Sequence, residues 1–96
     1  MYSQQEIKTI LQQHKQELFE KFPISSIALF GSVVRDDFTD KSDVDVLVEW
    51  KKVTLDYYLE MADYLEKLFQ RKVDVVTKSS IKPHYWKYIE EDVTYV

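Results

Sequence analysis

From Gln4 to Lys21 the chain places Ile7, Ile10, Leu11, His14, Leu18 and, just beyond, Phe22 at helical intervals, with polar residues between them. Ser3 stands three residues before Glu6, the spacing of a capping box, and Pro23 stops the pattern, so a helix over Gln4–Lys21 is expected. The period then shortens. Ser26–Phe30, "SIALF", is a brief apolar run closed by Gly31, which reads as a buried strand feeding a turn, and "SVVRDD" can open a short helix. Asp43–Trp50, "DVDVLVEW", is a second strand. Thr54 is a plausible cap for a second helix whose Leu55, Tyr58, Leu59, Ala62, Leu65, Leu68 and Phe69 form its apolar face. Lys72–Thr77, "KVDVVT", supplies a third strand, a last helix should begin near Pro83, and "VTYV" offers a terminal strand. Helices and strands thus mix along one chain of the α/β or α+β class. No linker, repeat or low-complexity stretch divides it, so residues 1–96 are expected to form one domain.

The second strand holds an anomaly. Residues two apart on a strand point to the same side, so Asp43, Asp45, Leu47 and Glu49 share one face, and Val44, Val46, Val48 and Trp50 the other. The Cα atoms of the two aspartates should lie roughly 6.5 Å apart, and like charges so close call for a counter-charge. A divalent cation would supply it, since magnesium takes oxygen ligands and leaves positions for water and substrate phosphates. Asp74 sits between Val73 and Val75 in the third strand and joins the same pocket if the two strands are neighbours. Three such carboxylates suit a two-metal site, where one ion orients a triphosphate and the other acidifies an attacking hydroxyl. Gly31 permits a tight turn and close backbone approach, the following amides face an anion, and Ser32 adds a hydroxyl donor.

The plainer alternatives are a turn aspartate at Asp43, a solvent-facing edge residue at Asp45, and an ion pair from Asp74 to Arg71 or Lys72. Arg35 suits either a phosphate or a structural ion pair. His14 reads as a core or interface histidine and His84 as an exposed one. Tyr57, Tyr58, Tyr64, Tyr85, Trp86 and Tyr88 read mainly as core filling, with some left exposed as a possible partner surface.

Composition removes several classes of function. Ninety-six residues suffice for one modest core, and 45% hydrophobic content with 15% aromatics argues against disorder. The absence of cysteine excludes disulfides and thiolate metal sites, and no apolar run approaches the roughly 20 residues of a membrane span. A polar N-terminus has no likeness to a secretory leader, so a cytoplasmic location is expected. A net charge of −4 without a basic stripe does not suit a binder of long nucleic acid; a small metal-bound nucleotide fits better.

Gly31-Ser32, ten residues, then Asp43-x-Asp45 and a later strand aspartate, Asp74, resemble the signature of the nucleotidyltransferase superfamily. "GSVVRDDFTDKSDVDVLV" is similar in particular to the minimal nucleotidyltransferase (MNT) branch, with Arg35, Ser42, Asp43 and Asp45 at matching positions, and the likeness runs through essentially the whole chain. The resemblance implies a small mixed sheet with helices packed on it, a Gly31-Ser32 turn holding a triphosphate, and magnesium on Asp43 and Asp45. Asp74 would complete the metal site and help activate the acceptor. It implies further an antitoxin that pairs with a HEPN-domain ribonuclease toxin and moves AMP from ATP to a tyrosine of that toxin. A non-catalytic antitoxin that masks its partner is the alternative, and transfer to a small hydroxylated molecule a third possibility. Asp36 departs from the branch, which often has glycine after the arginine; it adds negative charge near the expected triphosphate pocket.

Overall fold

A computed structural model describes residues 2–96. Helix α1 spans Gln4–Lys21, with the expected capping box: the Ser3 hydroxyl accepts from the Glu6 amide and the Glu6 carboxylate from that of Ser3. Strand β1 (Ile24–Phe30) runs into a short 3-10 turn, Gly31–Val34, and strand β2 covers Val44–Trp50. Helix α2 (Leu55–Phe69) starts at Thr54, whose hydroxyl accepts from the Tyr57 amide, and ends at Gln70 in the left-handed conformation. Strand β3 is Val73–Thr77; a 3-10 turn, helix α3 (Pro83–Ile89), a second 3-10 turn and the two-residue strand β4 (Thr94–Tyr95) complete the chain.

The four strands lie in the order β3-β2-β1-β4. β1 pairs antiparallel with β2 and β4, whereas β2 and β3 are parallel and joined by α2, so the sheet is mixed as expected. Ile7, Leu11 and Leu18 of α1 and Met61, Leu65 and Phe69 of α2 bury themselves against Ile27 and Leu29 of β1, Val44, Val46 and Val48 of β2, and Val73 and Val75 of β3. Alternation sends the intervening residues of β2 and β3 to the opposite face. That face carries the carboxylates.

Two expectations need correction. β1 begins at Ile24 rather than Ser26, because a register shift between Ile24 and Ser26 sets both Ile24 and Ile27 into the core, and this bulge interrupts the two-residue period. On α2, Leu55 and Leu59 are 71% and 55% exposed, while Met61, absent from the expected face, is fully buried. Leu59 lies about 160° around the helix from Met61 at 3.6 residues per turn, so the two cannot face one core. The aromatic residues divide by element. Tyr57, Tyr58 and Tyr64 pack on the core edge, whereas Tyr85 and Tyr88 of α3 stand exposed and Trp86 is half-buried. His14 is half-buried, with Nδ1 2.8 Å from the Ile10 carbonyl, and His84 is exposed. No helix among the described residues is long and apolar enough to cross a membrane.

Candidate active site

The parallel register sets Asp45 opposite Asp74, and the antiparallel register sets Phe30 opposite Asp45. Gly31 follows Phe30, so the turn after β1 and the start of β2 meet at the Asp45 carboxylate. Gly31 has φ +74°, and a Cβ there would stand 2.3 Å from Asp45 Oδ2. Glycine is therefore required twice, for the backbone angle and for room beside the carboxylate. The first amides of the 3-10 turn have no partners within it, and no side chain caps it, so they are available to an anion.

Asp43 precedes β2 and is half-buried, as is Asp45; Asp74 is exposed. Burial of the Asp45 carboxyl pushes its pKa up to about 6, with the charges of Asp74 and then Asp43 adding to the effect and Arg35 opposing it. Neither Asp45 nor Asp74 makes an ion pair among the described residues, and Asp43 has only Lys72 Nζ, 4.0 Å from its Oδ2. Of the plainer alternatives, Asp74 is thus not paired with Arg71 or Lys72.

As the side chains lie, no three His, Cys, Asp or Glu among the described residues form a ready metal cage. The donor set nonetheless fits a hard divalent cation. It consists only of carboxylate oxygens, it carries excess negative charge, and a glycine leaves space beside its central member; magnesium keeps several waters and needs few protein ligands.

The other candidate residues lie around this centre. Arg35 forms ion pairs with Asp37 (3.2 Å) and Asp92 (3.5 Å), which tie the turn to the segment before β4. The Ser42 hydroxyl accepts from the Thr39 amide (3.0 Å) and is engaged within its own loop. Asp36 lines a cleft of about 230 Å³ with Gln4, Gln5, Lys8 and Arg35, and none of Asp43, Asp45 or Asp74 borders it.

Gln4 and Arg71 hold the site's loops in roles that the sequence pattern does not announce. Gln4 Nε2 donates to the carbonyls of Ser32 (3.3 Å) and Arg35, clamping the 3-10 turn from the first residue of α1. Arg71 donates to the carbonyls of Thr39 and Ser42 in the loop before Asp43. Both act on distant carbonyls, which leave no periodic trace; the one local sign is an arginine directly after a helix C-cap and before an aspartate-bearing strand.

Comparison with known proteins matches residues 11–96 to the family described as nucleotidyltransferase domain. A Methanocaldococcus jannaschii protein provisionally named protein adenylyltransferase MJ0128 is 51% identical over 94 residues, covering 95% of each chain. Protein adenylyltransferase MntA of Thermococcus cleftensis is 41% identical over 97 residues, covering 100% of this chain and 98% of that one. Among solved structures, a chain in the complex of tri-AMPylated Shewanella oneidensis HEPN toxin with MNT antitoxin superposes with TM-score 0.68 at 20% identity, covering 93% of this chain and 70% of that chain.

Proposed function

Because this chain belongs to the nucleotidyltransferase domain family and is a nucleotidyltransferase enzyme, we propose that it is the antitoxin of a HEPN/MNT pair, moving AMP from ATP to a tyrosine hydroxyl of its toxin. The observation that carries the reading is the meeting of Asp45, Asp74 and the Gly31 turn on one sheet face, supported by the adenylyltransferase names of the relatives. The toxin as acceptor is supported by the MNT–HEPN assembly of the structural neighbour. Residues 1–96 would act as one minimal domain, in the cytoplasm and in a hetero-oligomer with the toxin.

Asp43, Asp45 and Asp74 would hold magnesium, which when bound offsets triphosphate charge and lowers the pKa of an attacking hydroxyl. The remaining roles fall to the chain itself. Gly31 and Ser32 offer amides and a hydroxyl to the phosphates, and they would receive charge that develops as pyrophosphate leaves. Arg35 and Ser42 would join them in binding the nucleotide, Arg35 from the turn after β1 and Ser42 from the loop before Asp43. A tyrosine hydroxyl, with a pKa near 10, attacks the α-phosphorus poorly unless its proton is drawn off, and Asp74, the most exposed of the three carboxylates, is the one an arriving acceptor meets. One phosphorus–oxygen bond forms to the tyrosine as the α–β bridge breaks.

The test is incubation of the protein with the HEPN protein encoded beside it, magnesium, and ATP labelled at the α- or the γ-phosphate. Label on the partner from the α-position alone, lost in the Asp43→Asn/Asp45→Asn variant, is the expected result. A stable complex that takes label from neither position would replace this reading with that of a masking antitoxin.

A further inference from the structure

The two residues just before β3, Arg71 and Lys72, hold the peptide groups on both sides of Asp43. Arg71 Nη1 donates to the Ser42 carbonyl (2.9 Å) and to that of Thr39 (3.2 Å), and Nη2 to that of Tyr2 (3.5 Å). On the other side, the Val44 amide donates to the Lys72 carbonyl (3.0 Å). The guanidinium also stacks over the ring of Phe38, with Cζ 4.5 Å from its centroid. One side chain therefore joins the N-terminal segment, the start of the loop at Phe38 and its end at Ser42. The loop has little else to order it. Residues 35–41 are exposed apart from Phe38, and its internal bonds are confined to Thr39, Lys41 and Ser42 beyond the Arg35–Asp37 pair.

The arrangement carries a cost, which argues against chance. Arg71 Nε is buried without a protein acceptor, a penalty the carbonyl contacts must offset. Arg71 makes no ion pair among the described residues, although Asp74 stands three residues on in sequence and Asp43 directly follows the Ser42 carbonyl it holds. Its donors go to main-chain oxygens, which fix backbone position without neutralising the site. A lysine has no equivalent fork, since a single ammonium cannot span the same carbonyls with flat geometry while stacking on Phe38.

We infer that Arg71 is a positioning residue, which sets the Asp43 carboxylate for a divalent cation by pinning the Phe38–Ser42 loop to the start of β3. The inference rests on the metal role proposed above for Asp43. Residues that orient a ligand from behind typically change metal affinity by about 10- to 100-fold when replaced, and a loss of that size is expected for Mn²⁺.

The experiment measures Mn²⁺ binding by electron paramagnetic resonance, and amide exchange by NMR, in the full chain and in Arg71→Met, Arg71→Lys and Tyr64→Phe. Tyr64→Phe removes the hydroxyl bond to Glu17 (3.0 Å) on the helical side and controls for general loss of stability. Arg71→Met should bind Mn²⁺ at least ten times more weakly, Arg71→Lys should fall between it and the native chain, and Tyr64→Phe should bind as the native chain does. The Ser42 amide, bonded to the Thr39 carbonyl, should exchange about tenfold faster in both Arg71 variants while the Leu11 amide of α1 is unchanged. In the transfer assay the metal concentration for half-maximal rate should rise, with the rate recovering at saturating metal. Native affinity in both Arg71 variants would overturn the inference, and if Arg71→Met does not fold, Arg71→Lys alone decides. A native chain that binds no Mn²⁺ would instead overturn the metal role itself; slow Ser42 exchange in the variants would then also remove the pinning by Arg71.

Discussion

Replacing Asp45 with asparagine should stabilise the metal-free protein at neutral pH. The ionised carboxylate is held partly out of water beside Asp74 and Asp43, which raises its pKa from 3.8 to about 6. Below the unfolded value both states are protonated and no penalty exists. Between the two values the folded state binds more protons, so stability falls as pH rises, and above the folded value the loss is complete. At full strength such a shift corresponds to about 3 kcal/mol, but the carboxylate is half open to solvent, and screening reduces the expected cost to about 1 kcal/mol. Asparagine keeps the shape, removes the charge and can donate to Asp74. For a domain of this size about 1 kcal/mol moves the melting temperature by roughly 4–8 °C. Thermal unfolding followed by circular dichroism in EDTA should show the variant melting higher at pH 7.5 and level with the native chain at pH 3.5. A variant that melts lower at pH 7.5, or a difference indifferent to pH, would refute the account of the site as a crowded acidic centre. Added magnesium should narrow the gap, since a ligand of the folded state stabilises the native chain alone.

Gly31→Ala brings a methyl to within 2.3 Å of Asp45 Oδ2 at a positive φ, so it should lose roughly 1–3 kcal/mol of stability together with most AMP transfer; a fully stable and active variant would contradict the packing described. Asp74→Asn removes the charge that acts most strongly on Asp45, and carboxyl NMR titration should find Asp45 ionising at lower pH than before, with an unchanged midpoint counting against their coupling. Tyr58→Phe deletes a hydroxyl that donates to the Val75 carbonyl (3.0 Å) and should cost about 1 kcal/mol in urea unfolding without touching metal affinity. Phe22→Ala empties the position that meets the rings of Trp50, Tyr57 and Tyr64 edge-on at 6.2–6.5 Å, and a loss of about 3–5 kcal/mol should leave little folded protein at 37 °C.

What the sequence revealed depended on whether a feature is local. Ser3 and Glu6 report the start of α1 because both halves of the capping box lie within one turn, and Thr54 reports the start of α2 by the same logic. The alternation of aspartate and valine in β2 and β3 named the carboxylates, since strand period alone assigns the face. The first two residues of β1 are not legible in the sequence because a bulge is a matter of pairing, and "ISSI" gives no sign of its partner. Leu55 and Leu59 misled because any leucine adds to an apparent stripe, whereas only the sheet decides which arc of the helix it covers. The loop-holding roles of Arg71 and Gln4 leave no sequence signal for a related reason: their partners are main-chain oxygens far away in sequence.

Parallel pairing of β2 with β3 also governs when the site comes into being. A chain cut in the exposed Lys51–Val53 stretch leaves Asp43 and Asp45 on one fragment and Asp74, with the arginine that steadies the loop, on the other. Neither piece has a site. Two such fragments fused to separate proteins would regain activity only on meeting, so the division that makes the fold non-local also makes the enzyme a natural candidate for a split reporter of association.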